Sequence, residues 1–112
     1  MNKTWMGFEG RVFLTDEEHA TYLRRPPVRY AAKGMSDKPT ECDICGLPER
    51  PLNTLQASHL IPFTSGWRDF WLTPDYLDQR ENLVWAHKKG CNKCAELSFA
   101  DIAYRVRALR VG

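Results

Sequence analysis

The sequence has no long hydrophobic run. No stretch reaches the roughly 20 predominantly apolar residues that a membrane-spanning helix requires. The residues that follow Met1 do not resemble the apolar segment of a signal peptide. We therefore expect a cytoplasmic protein with no membrane partner. In a reducing cytoplasm, paired cysteines more often bind metal than form disulfides.

Cysteine is scarce, because the chain has only four, in two Cys-x-x-Cys motifs at Cys42 to Cys45 and Cys91 to Cys94. Each motif directs two thiolates at one point, and two motifs can close a tetrahedral zinc site. Two disulfides are the alternative. A chain of 112 residues is one domain and buries only about 60–70% of its unfolded surface, so a metal ion would add to its stability. We predict a structural Zn²⁺.

Net charge is small as well, at +2, and does not by itself indicate a nucleic-acid partner. The charge is unevenly distributed, since from residue 82 onward only Glu96 and Asp101 oppose six basic residues. This surplus is either an ordinary solvated helix face or a surface that contacts phosphates. The basic residues are Lys88, Lys89, Lys93, Arg105, Arg107 and Arg110.

The first forty residues carry one clear helix signal. Residues 15–18, Thr-Asp-Glu-Glu, have the spacing of a capping box. They predict a short helix from about Asp16 to Arg25, which Pro26 ends. Residues 1–40 are therefore interpreted as an N-terminal extension made of this helix and a loop, with His19 on its surface.

Residues 41–112 form the predicted zinc-stapled domain. We expect two antiparallel strands, at 52–61 and 83–86, and a closing helix that starts near Cys91 and has apolar residues at helical spacing. After Phe63, the connection over residues 63–80 holds four further aromatic residues, which are expected in the core. These are Trp67, Phe70, Trp71 and Tyr76.

Three motifs occur in this domain in a fixed order. His59 ends the first strand and precedes two apolar residues and a proline, and Asn82 directly precedes the second strand. Asn92 follows Cys91 at the start of the helix. With these motifs inside a cysteine frame, roughly residues 41–100 resemble the HNH endonuclease superfamily. The resemblance implies an α+β fold with a ββα-metal (His-Me finger) core, stapled by a zinc knuckle and preceded by the helical extension.

The HNH pattern leaves two sets of ligands for the structural zinc. The first set, which we favour because it keeps Asn92 in the last motif position, includes a histidine. It consists of Cys42, Cys45, His87 and Cys91. In the second set Cys94 replaces His87, which gives the more familiar pair of knuckles. The last motif position then falls on Ala95, which cannot bind metal.

The resemblance also implies catalytic roles. Neutral His59 would take a proton from water as a general base, and Asn82 would orient it through hydrogen bonds to nearby backbone. Asn92 would bind a catalytic divalent cation, Mg²⁺, Mn²⁺ or Ni²⁺, through its side-chain oxygen. Many family members carry Asp or His immediately before the histidine, and Ser58 stands there in this chain, which leaves that cation short of one ligand.

The resemblance therefore implies a metal-dependent HNH endonuclease that hydrolyses phosphodiester bonds in DNA. It also implies a relation to phage or restriction systems, in which a protein partner is expected. The predicted contacts to the DNA backbone are Lys88, Lys89, Arg105, Arg107 and Arg110. The alternative, which Ser58 favours, is a catalytically inactive zinc module of the same fold that binds nucleic acid or a protein partner. A purely structural zinc ribbon is a third interpretation.

Overall fold

Two short strands organise the structure. Strand β1, Leu55–His59, pairs antiparallel with strand β2, Leu83–His87. Leu55 lies opposite His87 and His59 lies opposite Leu83, so the two histidines stand at opposite ends of the ladder. At about 3.4 Å per residue, these ends are roughly 14 Å apart. The strands were both predicted, although β1 is shorter than the expected 52–61.

The computed structural model of the chain describes residues 8–28 and 38–111. Most of the predicted loop before residue 41 lies outside them. The described residues form an α+β fold, which confirms the predicted mixed class, and none of their helices is long and apolar enough to cross a membrane. Besides the strands, the elements are α1 Asp16–Arg24, α2 Phe63–Phe70, α3 Pro74–Leu77, a 3₁₀ helix Arg80–Asn82, α4 Cys91–Cys94 and α5 Phe99–Val111.

Helix α1 begins as the capping box predicts. The Thr15 hydroxyl accepts a hydrogen bond from the Glu18 N–H, and the Glu18 carboxylate accepts one from the Thr15 N–H. His19 is buried, which makes the expectation of a surface position wrong. Its ring stacks on Trp71 with centroids 3.8 Å apart, and its Nε2 lies 2.8 Å from the Arg68 carbonyl oxygen. The helix is therefore anchored on α2.

The predicted aromatic core is confirmed. Trp67, Phe70 and Tyr76 are buried, and Trp71 is half-buried. Trp67, Phe70 and Tyr76 belong to a cluster that extends from the N-terminal extension to α5, whereas Trp71 stacks on His19 outside it. Its buried members are Leu14, Ile61, Phe63, Trp67, Phe70, Leu72, Tyr76, Leu77, Ile102, Val106 and Leu109. The extension therefore packs on the same core as the strands and helices that follow it.

The connection between the strands is helical, which the sequence analysis did not predict. Thr73 caps α3 by accepting a hydrogen bond from the Tyr76 N–H, and Pro74 occupies the first helical position. Helix α2 ends where Trp71 adopts a left-handed conformation with φ of 61°. The Thr-Pro pair is a start signal that could have predicted α3.

The closing helix is divided in two. Helix α4 ends at Cys94, and α5 begins only at Phe99. Between them the Leu97 N–H donates to the Leu60 carbonyl oxygen instead of to a helical partner. Ser98 then caps α5 by accepting from the Asp101 N–H. Phe99, the first of the apolar residues at helical spacing, is 70% exposed, although its ring contacts Phe70.

Gly66 provides a test of the packing of α2. A methyl group added there would meet both terminal carbons of buried Leu77. Alanine gains about 1 kcal/mol of helix propensity over glycine, but overpacking costs about 1–3 kcal/mol. We expect Gly66→Ala to lower the thermal midpoint, while Thr64→Ala, at an exposed site on the same helix, should not. A rise in the thermal midpoint of both variants would show that Leu77 repacks freely around the added methyl group.

Candidate metal centre and histidine cleft

Four side chains converge at the Leu55 end of the sheet. The ligand atoms of Cys42, Cys45, His87 and Cys91 all lie within 4.8 Å of one another. The Nδ1 atom of His87 is 3.5 Å from the sulfur of Cys45 and 3.6 Å from that of Cys91. Ligands bound at about 2.0–2.3 Å around tetrahedral zinc lie roughly 3.3–3.8 Å apart. The cluster can therefore hold a metal ion such as zinc with little rearrangement.

The first two cysteines belong to a tight turn. The N–H groups of Ile44 and Cys45 point at the Cys42 sulfur, at 3.3 and 3.5 Å, and Gly46 closes the turn with a φ of 75°. Burial of the Cys42 thiol raises its pKa, but backbone hydrogen bonds from Cys45, His87 and Ile44, together with one from the Cys45 side chain, outweigh that effect and bring the pKa to about 6. Two N–H donors on one sulfur stabilise the thiolate that a metal requires.

The burial and hydrogen bonding of His87 suit it to bind a metal ion. It is buried, and its Nε2 lies 2.9 Å from the Pro48 carbonyl oxygen. That carbonyl can only accept, so Nε2 carries the hydrogen and Nδ1 directs its lone pair at the sulfurs, an arrangement typical of metal-bound histidines. Burial and the neighbouring sulfurs of Cys45 and Cys42 raise the pKa of Cys91 to about 11. A cation would relieve this crowding of negative charge.

The structure therefore assembles the first of the two predicted ligand sets. Cys94 is exposed at the end of α4 and does not belong to the cluster. In residues 8–28 and 38–111 this cluster is the one group of three or more Cys, His, Asp or Glu ligand atoms so closely spaced. The predicted site for a second, catalytic cation consequently has no such set of ligands.

A second site lies at the other end of the sheet, where His59 lines a cleft of about 430 Å³. The His59 side chain is buried, and its Nε2 is 2.7 Å from Oδ1 of buried Asp78. An ionised carboxylate only accepts hydrogen bonds, so it fixes the hydrogen on Nε2 and leaves Nδ1 with a free lone pair. Sequence reasoning missed Asp78, because no local pattern connects two residues that are 19 positions apart.

Asn82 is fully buried beside this pair. Its side-chain oxygen accepts from the Ile61 N–H at 2.9 Å, and its amide nitrogen donates to the carbonyl oxygens of Ile61 and Leu77 at 3.3 and 2.8 Å. These bonds hold the backbone two residues after His59 and one residue before Asp78. The hydrogen bonds to nearby backbone that the resemblance implied are therefore present.

Asn92 also lines the cleft, and so does Glu96, four positions later in the bend that follows α4. The sequence analysis did not select Glu96, although its spacing from Asn92 is the signal that could have found it. Ser58, which precedes His59, is buried at the same cleft, and its hydroxyl has no hydrogen-bond partner in the structure. The cleft thus combines an imidazole, an amide, a carboxylate and a hydroxyl.

The predicted DNA-contacting residues are distributed over more than one face. Lys88 and Lys89 are exposed in the turn between His87, which ends β2, and Cys91, which begins α4. On α5, Arg105 and Arg107 are two residues apart, so at about 100° per residue they point in nearly opposite directions, roughly 160° apart. Arg110 lies over the Phe13 ring, 4.1 Å from its centroid. The lysines are therefore the freer candidates for phosphate contacts.

No family model, curated protein or solved structure matches the chain at a significant level. The geometry of the two sites is therefore the basis of the functional argument.

The ligand set of the metal centre can be tested by substitution. We expect one zinc per chain. The zinc should be retained in Cys94→Ser and lost in His87→Ala, because, of these two residues, His87 alone belongs to the cluster. The loss should also lower the thermal midpoint strongly, since structural zinc contributes on the order of 10 kcal/mol of apparent binding energy to folding. Elemental analysis and thermal melts measure both effects. The reverse result would assign Cys94 as the ligand.

Proposed function

We propose that the protein is a metal-dependent endonuclease of the HNH type, which hydrolyses phosphodiester bonds in DNA. The observation that carries this proposal is the buried pair of His59 and Asp78 at a cleft that Asn92 shares. An imidazole held in one tautomer at the edge of a cleft is suited to take a proton from water. The resemblance of the sequence motifs supports the same reaction.

The arrangement of β1, β2 and α4 supports the finer description of the fold as a ββα-metal core. Helix α4 contacts both strands, and its first residue, Cys91, belongs to the metal cluster. The residue that follows, Asn92, lines the cleft that contains His59. A zinc ion at the cluster would therefore fix the short helix that presents Asn92.

In the proposed reaction, His59 Nδ1 accepts a proton from a water molecule, whose oxygen attacks the phosphorus as the bond to the leaving 3′-oxygen breaks. Asp78 holds the imidazole and stabilises the imidazolium that forms. Asn92 and Glu96 are the side chains that would hold a divalent cation such as Mg²⁺, Mn²⁺ or Ni²⁺. When bound, that cation would supply charge stabilisation at the phosphate and the leaving oxygen.

The general-base role can be tested with His59→Ala. Cleavage of supercoiled plasmid in Mg²⁺, Mn²⁺ or Ni²⁺ should fall by roughly 10² to 10⁴, whereas zinc content and DNA affinity should stay close to those of the wild type. The reason is that His59 stands at the opposite end of the sheet from the metal cluster. Loss of zinc in this variant would instead make His59 structural and contradict the proposal.

Asp78 should act as a positioning residue. We expect Asp78→Asn to reduce cleavage by roughly 10- to 100-fold and to change the ¹⁵N shifts of the His59 ring, which report its tautomer. Asp75→Asn, an exposed carboxylate in α3, the helix that Asp78 follows, serves as the control. If the ring shifts of both variants equal those of the wild type, Asp78 does not fix the tautomer.

A second function has one specific observation in its favour. The side chain before His59 is Ser58, and the described residues place no third imidazole or carboxylate with His59 and Asp78 in a group that could hold metal. This favours a zinc module that binds nucleic acid or a protein partner without cleaving. Wild-type protein that binds DNA but leaves plasmid intact with every divalent cation would decide for this function.

A further inference from the structure

One wall of the His59 cleft is the amino-terminal end of α2. Pro62, Phe63, Thr64 and Ser65 all line the cleft, so the first turn of this eight-residue helix faces it. The first N–H groups of a helix have no partner within the helix. Here Pro62 occupies the N-cap and makes no side-chain cap. The N–H groups of the first turn are therefore available to a ligand.

The electrostatics of this turn favour an anion. The positive end of the helix dipole lies at the cleft, and the first turn contains no acidic side chain. In α1, by contrast, three acidic residues and a capping box occupy the corresponding positions. An oxyanion held by backbone N–H groups at a helix start is a common way of binding phosphate.

Ser58 provides an independent sign that a ligand belongs here. The residue is 94% buried, given its relative exposure of 6%, it lines the same cleft, and its hydroxyl has no hydrogen-bond partner. A buried hydroxyl without a partner is costly, and such groups often mark a missing ion or ligand. A phosphate oxygen at the floor of the cleft would accept this hydrogen bond.

The remaining charged group in the cleft is Glu96, which is exposed and would repel an anion placed beside it. With Asn92 of α4 it makes this wall of the cleft suited to a cation, while the α2 wall is suited to an anion. His59 belongs to the same cleft lining as both walls. This division of charge matches a metal–phosphate pair better than either ion alone.

We propose that the first turn of α2 and the Ser58 hydroxyl form an oxyanion subsite that binds a phosphodiester group of the nucleic-acid strand. This inference deepens the proposed nuclease function and rests on it for the identity of the strand. The backbone N–H groups of Phe63, Thr64 and Ser65 donate to the non-bridging phosphate oxygens, and Ser58 donates from below. The subsite orients the phosphate towards His59.

The test uses the zinc-loaded full chain and follows backbone amides by ¹H–¹⁵N NMR during titration with inorganic phosphate and then with a short DNA duplex. We expect saturable shifts at Phe63, Thr64 and Ser65 with both probes. Thr64→Asp should weaken phosphate binding by roughly tenfold or more, because the added carboxylate repels the anion at close range. Thr64 is exposed, and an acidic residue near a helix start is stabilising, so the variant should fold.

The matched control is Ala100→Asp, which adds the same charge at the second position of α5, at an exposed site that does not line the cleft. It should change phosphate affinity by no more than about twofold in moderate salt. Ser58→Ala is the second variant. It should weaken phosphate binding by roughly three- to tenfold without lowering the thermal midpoint, because it removes a hydroxyl that has no partner in the protein.

Two results would overturn the subsite: α2 amides that do not move with phosphate, or equal losses of affinity in Thr64→Asp and Ala100→Asp. The proposed nuclease function fails differently. Plasmid cleavage with unmoved α2 amides would keep the nuclease and reject the subsite. Saturable phosphate binding at α2 without cleavage by any divalent cation would keep the subsite and reject the nuclease.

Discussion

The buried amide of Asn82 is the interaction on which the cleft depends. It ties the chain after β1 to the end of α3 through hydrogen bonds to Ile61 and Leu77, and its own backbone carbonyl accepts from the Leu60 N–H. His59 and Asp78 are each within two residues of these anchored positions. A buried amide left without partners costs about 1–3 kcal/mol, so the geometry that satisfies Asn82 is also the one that brings the imidazole and the carboxylate together.

The metal cluster has a corresponding role at the opposite end of the same strands. Cys42 and Cys45 come from a turn before β1, His87 ends β2, and Cys91 begins α4. Metal binding there joins three segments that have few buried apolar residues of their own, since the local apolar cluster consists of Cys42, Leu55 and Ala86. Stability and the proposed chemistry are thus assigned to separate ends of one small sheet, and substitutions can affect them separately.

The sequence predicted the elements whose signals are local. The capping box of α1, the two strands and the aromatic core follow from residue spacing over a few positions, and the ligand set with His87 follows from the order of the motifs. His19 was misplaced because its burial depends on stacking against Trp71, far along the chain. Asp78 was missed for the same reason, since its partnership with His59 exists only once the residue that follows α3 lies beside the end of β1. The break between α4 and α5 depends on a hydrogen bond from Leu97 to Leu60, which no helical periodicity encodes.

The pairing of β1 with β2 comprises only five residue pairs, and a ladder this short specifies its register weakly when pairing alone decides. A slip by one residue would turn every side chain of one strand to the other face. It would remove His87 from the sulfurs at one end and break the alignment of Asn82 with Ile61 at the other. The interactions at both ends of the sheet form in the same register, so a misaligned pairing loses both sets together. The native register is consequently favoured by both ends at once, and agreement of this kind favours cooperative folding to one state.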